Sequence, residues 1–175
     1  MKIALGQFAV HPTWEDNARL CQDLIRRAAA AGADLLVLPE GILARDIADP
    51  DLVRRAAQPL DGPFLSQLLD ASRALDLTVI MTVHTPADGG RVWNTQVALR
   101  RGEIIAQYRK LHLYDAFSMQ ESVNVVPGSD VPPLVPVAGM QVGMMTCYDL
   151  RFPELARRLA PVSYTHLTLP TKRIV

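Results

Sequence analysis

Apolar positions along the chain switch repeatedly between a helical and a strand-like period. Residues 2–9 are an apolar run that reads as a buried strand, broken by His11-Pro12-Thr13. From there Trp14, Ala18, Cys21, Leu24, Ile25 and Ala28 recur by threes and fours. That spacing predicts a helix with one buried face, capped by Thr13 and ended by Gly32. Asp34 leads into a continuous apolar run to Leu38, which suits a strand covered on both sides. Residues 51–58 and 63–76 read as helices, the second entered through Asp61-Gly62-Pro63. Residues 78–84, 92–99 and 103–108 read as neighbouring strands, with turns at Asp88-Gly89-Gly90 and Arg101-Gly102. From Leu113 to Pro133 the periodicity disappears, and a long irregular segment inside a domain is more often functional than idle. Residues 134–137 and 140–146 are the last strands, joined through Ala138-Gly139. Pro153 then opens a short helix to Ala160. Strands and helices mixed in this way predict a layered α/β fold.

Composition narrows the classes. At 175 residues, 49% of them hydrophobic and 21% charged, the chain suits one folded domain with a core. Lys+Arg and Asp+Glu balance at 18 each, without a basic run, so neither nucleic acid nor an anionic membrane is an expected partner. The N-terminal apolar run is too short for a signal peptide, and no stretch approaches the ~18 apolar residues of a membrane span. Cys21 and Cys147 make neither a disulfide framework nor a metal pair. A cytoplasmic protein with reduced thiols is expected, needing no metal or organic cofactor.

The candidate chemistry lies at strand ends. Cys147 follows an apolar run and precedes a helix start at Pro153-Glu154, the layout of a nucleophile elbow. A single free cysteine is most often a small buried hydrophobe, and Cys21, on its helix face, reads that way. Glu40 and Lys110 also stand just past strand ends, where catalytic residues of α/β sheets gather. Taken singly they are a loop carboxylate and a surface ammonium. Together they offer a base, a cation and a nucleophile. A carboxylate can accept the thiol proton, and an ammonium with the Tyr148 backbone N–H can stabilise the oxyanion formed on an amide or nitrile. A thiol activated in this way is expected to show a depressed pKa and rapid alkylation.

Leu38-Pro39-Glu40, Tyr108-Arg109-Lys110-Leu111-His112-Leu113 and Thr146-Cys147-Tyr148-Asp149-Leu150-Arg151-Phe152-Pro153-Glu154 resemble, in order and spacing, the three signature blocks of the nitrilase superfamily of carbon–nitrogen hydrolases. The resemblance covers about residues 2–160. It implies an αββα sandwich in which Glu40 is the general base, Lys110 the transition-state cation and Cys147 the nucleophile. Glu121, in Gln120-Glu121-Ser122, matches the family's second structural or catalytic glutamate. Within the superfamily, these blocks look most like the Nit-type ω-amidase branch, which includes amidases acting on deaminated glutathione. That implies hydrolysis of a small linear amide, with a homodimer or larger assembly. A nitrilase or N-carbamoyl amidohydrolase, a thiol acyltransferase, and a non-catalytic scaffold on the same fold are the alternatives. Tyr114 and Phe117 are candidate pocket walls, or core. Arg151 is a candidate for a substrate carboxylate, although beside Asp149 and Glu154 it reads first as an ion-pair member, and His112 reads as structural.

The family pattern stops near Ala160. Residues 1–162 are expected to be the N-terminal part of one hydrolase domain, and residues 163–175 a non-native tail that contributes nothing to the fold. On that reading the chain as written would be poorly stable and inactive.

Overall fold

The computed structural model describes residues 1–117 and 119–160. The expected tail, residues 163–175, lies outside the described residues. The main sheet takes β1 (Ile3–Leu5), β2 (Leu35–Val37), β3 (Thr78–Pro86), β4 (Val92–Arg100) and β5 (Glu103–Arg109) in that order. β1, β2 and β3 are parallel neighbours, whereas β3, β4 and β5 form the antiparallel meander that their turn residues predict. Helices α1 (Trp14–Ala30) and α3 (Pro63–Ser72) lie over one face, with the single turn α2 (Leu52–Arg55) before α3. Gly32, at φ +68°, ends α1 from the left-handed position that its lack of a Cβ makes cheap.

The two faces of the sheet separate by the period of two that strands impose. Leu36, Val79, Met81, Val83, Val97 and Leu99 pack against Ala18, Cys21, Ile25, Phe64, Leu65 and Leu68 of α1 and α3. Each Val, Leu, Ile, Phe or Met side chain among them contributes about 1.5–3 kcal/mol by leaving water. Leu35, Ile80, Ala98 and Tyr108 face the other way, onto Val135, Val137 and Met144. Val135 and Val137 belong to β9 (Leu134–Val137), which pairs antiparallel with β10 (Met140–Gly143). Val142 of β10 joins that second core, so its neighbour Gly143 points to the opposite face. There Leu159 of α4 (Pro153–Leu159) approaches to 3.1 Å from where a Gly143 Cβ would stand. The order helix, sheet, hairpin, helix is that of an αββα sandwich, with β9 and β10 as its second strand layer among the described residues.

Several elements are shorter than the pattern predicts: β1 keeps only Ile3–Leu5 of residues 2–9, and three others have a visible cause. The helix expected over 51–58 stops at Arg55, because Gln58 is used otherwise. Its N–H donates to the His84 carbonyl (3.2 Å), and its Oε1 accepts the Phe64 N–H (2.9 Å) at the start of α3. α3 ends at Ser72, whose hydroxyl donates back to the Leu69 carbonyl at 3.0 Å. β10 stops at Gly143, not Thr146, because the Thr146 N–H donates to the Asp149 carboxylate at 3.0 Å rather than to a strand. The segment without periodicity holds the hairpin β6 (Asp115–Ala116) and β7 (Met119–Gln120), then a 3-10 turn, Glu121–Val123. After it β8 (Val125–Val126) runs parallel to β4.

Candidate active site

β2 and β5 end at the same edge of the main sheet. Glu40 sits three residues beyond β2, at a turn fixed by Gly41 (φ +64°), whose N–H donates to the Thr82 hydroxyl at 2.6 Å. Lys110 follows β5 directly. Its backbone N–H donates to the Asn94 carbonyl (2.9 Å), and its carbonyl accepts the Gly128 N–H (2.8 Å). Cys147 opens the 3-10 turn Cys147–Arg151 at φ +48°, a left-handed conformation that L residues seldom adopt. That sharp bend is the elbow geometry expected for a presented nucleophile.

The side chains converge in the gap between the strand layers. Lys110 is only 2% exposed, and its Nζ lies 3.2 Å from Glu40 Oε1, 3.1 Å from Glu121 Oε1 and 2.8 Å from Glu121 Oε2. Glu121 is further fixed by the Tyr114 N–H, which donates to its Oε2 at 2.7 Å. Asn94 joins the two carboxylates, its amide donating to Glu40 Oε1 at 2.8 Å and reaching Glu121 Oε1 at 3.4 Å. One ammonium thus sits between two carboxylates, and the cluster carries a net negative charge when both are ionised.

That charge sets the resting protonation. Burial pushes the Glu40 carboxyl up, but the Lys110 charge and hydrogen bonds from Asn94, Lys110 and the Cys147 thiol outweigh it and hold it below the ordinary carboxylate range. Burial works against the Lys110 ammonium, and Glu40 and Glu121 together outweigh it, so its pKa is raised. Cys147 is exposed as a residue, yet its thiol borders this cluster. Lost hydration there, and then the negative charge of Glu40, push it up to about 11 despite Lys110. The depressed thiol pKa expected from the sequence is therefore reversed. The resting pair is a neutral thiol beside an ionised carboxylate.

Tyr148, whose backbone follows Cys147, is half-buried, and its ring meets Tyr114 edge-on at 5.1 Å between centroids. Tyr114 is therefore tied to the cluster through both its N–H and its ring. Phe117 is not a wall: it stands 98% exposed in the hairpin turn, at φ +57°. Arg151 is exposed and, among the described residues, makes no ion pair; Asp149 is taken by other partners, and Glu154 pairs with Arg157. Cys21 is fully buried, and desolvation raises its thiol to about 12, as suits a core residue.

Asn94 and His84 went unread in the sequence. They are directly opposed across β3 and β4, and both are buried on the face that carries the cluster. The available signal was a polar residue in the inward phase of an apolar strand. Burial lowers the His84 imidazole to about 4 against the pull of Glu40 and Glu121, so it is neutral near pH 7.

Residues 2–163 match the family model described as carbon-nitrogen hydrolase. The chain is 51% identical to a deaminated glutathione amidase of Escherichia coli O157:H7, over 97% of this chain and 65% of that protein. It is 32% identical to the deaminated glutathione amidase of Bos taurus, over 97% of this chain and 55% of that one. It therefore spans between about half and two thirds of the length of these relatives. Among solved structures it superposes, with TM-score 0.81 and 27% identity, on a variant of the amidase from Nesterenkonia sp. AN1. That variant shows covalent addition of the acetamide moiety of fluoroacetamide at the active site cysteine; the match covers 93% of this chain and 62% of that one. With its fold, its strand-end cluster and a family match along nearly its whole length, this chain belongs to the carbon–nitrogen hydrolase family.

Proposed function

We propose that the intact protein is a thiol-dependent amidase that hydrolyses a small linear amide to a carboxylate and ammonia or an amine. The observation that carries the reading is the meeting of Glu40, Lys110 and the Cys147 thiol at one sheet edge, with the carboxylate ionised and the thiol neutral. The Cys147 sulfur attacks the amide carbon as its proton passes to Glu40. The carbonyl oxygen becomes an oxyanion, stabilised by the Lys110 ammonium and the Tyr148 N–H. When the C–N bond breaks, Glu40 returns the proton to the departing nitrogen, leaving a thioester. Water, deprotonated by Glu40, attacks the thioester carbon and releases the acid, and Glu40 gives the proton back to the sulfur. Glu121 holds Lys110 from the side away from this proton traffic.

A substrate of the deaminated glutathione or ω-amide type is favoured by likeness to the amidases named above, and a homodimer or larger assembly in the cytoplasm completes the proposal. Both described cysteines are free, as a reducing compartment requires. Among the described residues no helix is long and apolar enough to cross a membrane. The test is a turnover survey of the intact protein across ω-amides of short acids, nitriles and N-carbamoyl amino acids. Hydrolysis of the amides, with a mass increment trapped on Cys147, is expected. Turnover of nitriles or N-carbamoyl compounds with amides refused would overturn the assignment.

A further inference from the structure

Asp149 stands two residues past the nucleophile and touches none of the reacting groups, yet its carboxylate has no exposed surface. A buried carboxylate is costly unless its lone pairs are taken up, and here all of them are. Oδ1 accepts the His112 N–H (3.0 Å) and contacts His112 Nδ1 at 2.8 Å. Oδ2 accepts the Tyr108 hydroxyl (2.8 Å) and the Thr146 N–H (3.0 Å). The Tyr108 oxygen in turn accepts the Leu111 N–H at 3.0 Å. The His112 ring is stacked on Phe152, 3.6 Å between centroids and 9° from parallel, and the Phe152 N–H donates to the Asp149 carbonyl at 3.0 Å.

These partners fall on either side of the two residues whose separation matters. Tyr108, Leu111 and His112 flank Lys110, while Thr146 and Asp149 itself flank Cys147. We infer that Asp149, with His112 and Tyr108 as its partners, is a positioning residue that fixes the cysteine elbow relative to the lysine strand end, and so sets where the thiol stands between Glu40 and Lys110. The inference rests on the amidase reading above and adds to it the part that holds the geometry. The carboxylate hydrogen-bonds to both strand ends at once. The left-handed conformation at Cys147 (φ +48°) needs such a tie, because a strained residue persists only where its surroundings over-determine it.

The chemistry of the junction dictates the variants. Asp149→Asn keeps the shape but turns one oxygen into an amide donor facing two donors, so one strand end is released. His112→Phe keeps a ring to stack on Phe152 and loses the donor to Oδ1. His112→Asn keeps a side-chain donor and loses the ring. Tyr108→Phe removes one hydroxyl that serves both Asp149 and the Leu111 N–H.

In the intact protein, Asp149→Asn and His112→Phe are expected to lower kcat about 100-fold, the cost of an ångström-scale misplacement, while KM stays within about threefold. Alkylation of Cys147 by iodoacetamide, which needs no amide substrate, should slow in parallel, and His112→Asn should recover at least a tenth of wild-type kcat. A purely structural role would lower the melting temperature without this split between kcat and KM. The inference is overturned if folded Asp149→Asn or His112→Phe turns over amide within threefold of wild type, or if His112→Asn is as impaired as His112→Phe. Should Asp149→Asn fail to fold, Tyr108→Phe and His112→Phe decide by the same two readouts. A wild-type protein that hydrolyses no amide at all would instead sink the amidase reading, and the alkylation series would still report whether the junction positions the thiol.

Discussion

Replacing Glu40 by Gln should move two properties of the site in opposite directions. In the resting site burial and then the Glu40 charge raise the Cys147 thiol to about 11, so near pH 8 only about one sulfur in a thousand is ionised. Glu40→Gln removes the negative charge that opposes the thiolate and leaves Lys110 in place. Loss of a like charge at such range should raise the thiolate fraction near pH 8 by about 10- to 100-fold. Turnover should nevertheless fall by about 10²- to 10⁴-fold, because the amide cannot take the proton from sulfur or return it to the leaving nitrogen. Expressed as a barrier, that loss is about 3–5 kcal/mol. The ionisation is read from ultraviolet thiolate absorbance against pH, as the difference between each protein and its Cys147→Ser control, and turnover from ammonia release. A variant that ionises no more readily than wild type would show that Glu40 does not set the thiol's resting state. A variant that keeps turnover within tenfold would show that Glu40 is not the base.

Three further outcomes follow from the same geometry. Lys110→Met leaves two carboxylates facing each other without their cation, which should cost about 3–5 kcal/mol of stability along with activity, read by chemical denaturation. Gly128→Ala places a Cβ 2.1 Å from the Arg109 carbonyl oxygen, so the backbone beside Lys110 must shift; a loss of about 1–3 kcal/mol and a fall in kcat are expected, from melts and turnover together. His84 is held neutral by burial, with a folded pKa near 4 against 6.5 unfolded. Between those values the unfolded chain binds more protons than the folded one, so stability should drop by up to about 3 kcal/mol as pH falls through the window, and His84→Gln should flatten that slope.

The layers were legible because apolar period is a direct imprint of burial. The meander over 78–108 and α1 show it: continuous or alternating hydrophobicity for one, spacing by threes and fours for the other. Helix ends were less legible, because they depend on where single polar side chains go. Gln58 spends its amide on the start of α3 and cuts α2 to one turn, which no local propensity records. At the site, chemical type and strand-end placement pointed to Glu40, Lys110 and Cys147, and these side chains do converge. The thiol's ionisation was misjudged, because its sign depends on a net count of neighbouring charges that only three dimensions supply. Asn94 was missed for a related reason: a lone Asn in a strand says nothing until the partner strand places it against two carboxylates.

Two glutamates contact one lysine, and their surroundings differ. Glu121 is fixed at both oxygens: Lys110 reaches each, and the Tyr114 N–H takes Oε2. A proton arriving there would have to displace charge-assisted bonds, which are about twice as strong as neutral ones. Glu40 has both of its side-chain donors, Asn94 and Lys110, on Oε1, and its side chain is 32% exposed against 16% for Glu121. Among the described residues no N–H donor is hydrogen-bonded to its Oε2. Proton transfer from sulfur therefore meets an open acceptor at Glu40 and an occupied one at Glu121. Glu121→Gln should follow from this as a positioning defect. The amide can still accept from Lys110 and Tyr114 through one oxygen, so kcat should fall by about 10-fold rather than the 10²-fold or more expected of a lost base. The thiol should keep its high pKa, because Glu40 remains beside it. Parallel titration and turnover of Glu40→Gln and Glu121→Gln would separate the roles. If Glu121→Gln were the more damaging to turnover, or the one that freed the thiolate, the assignment of the base would have to be exchanged.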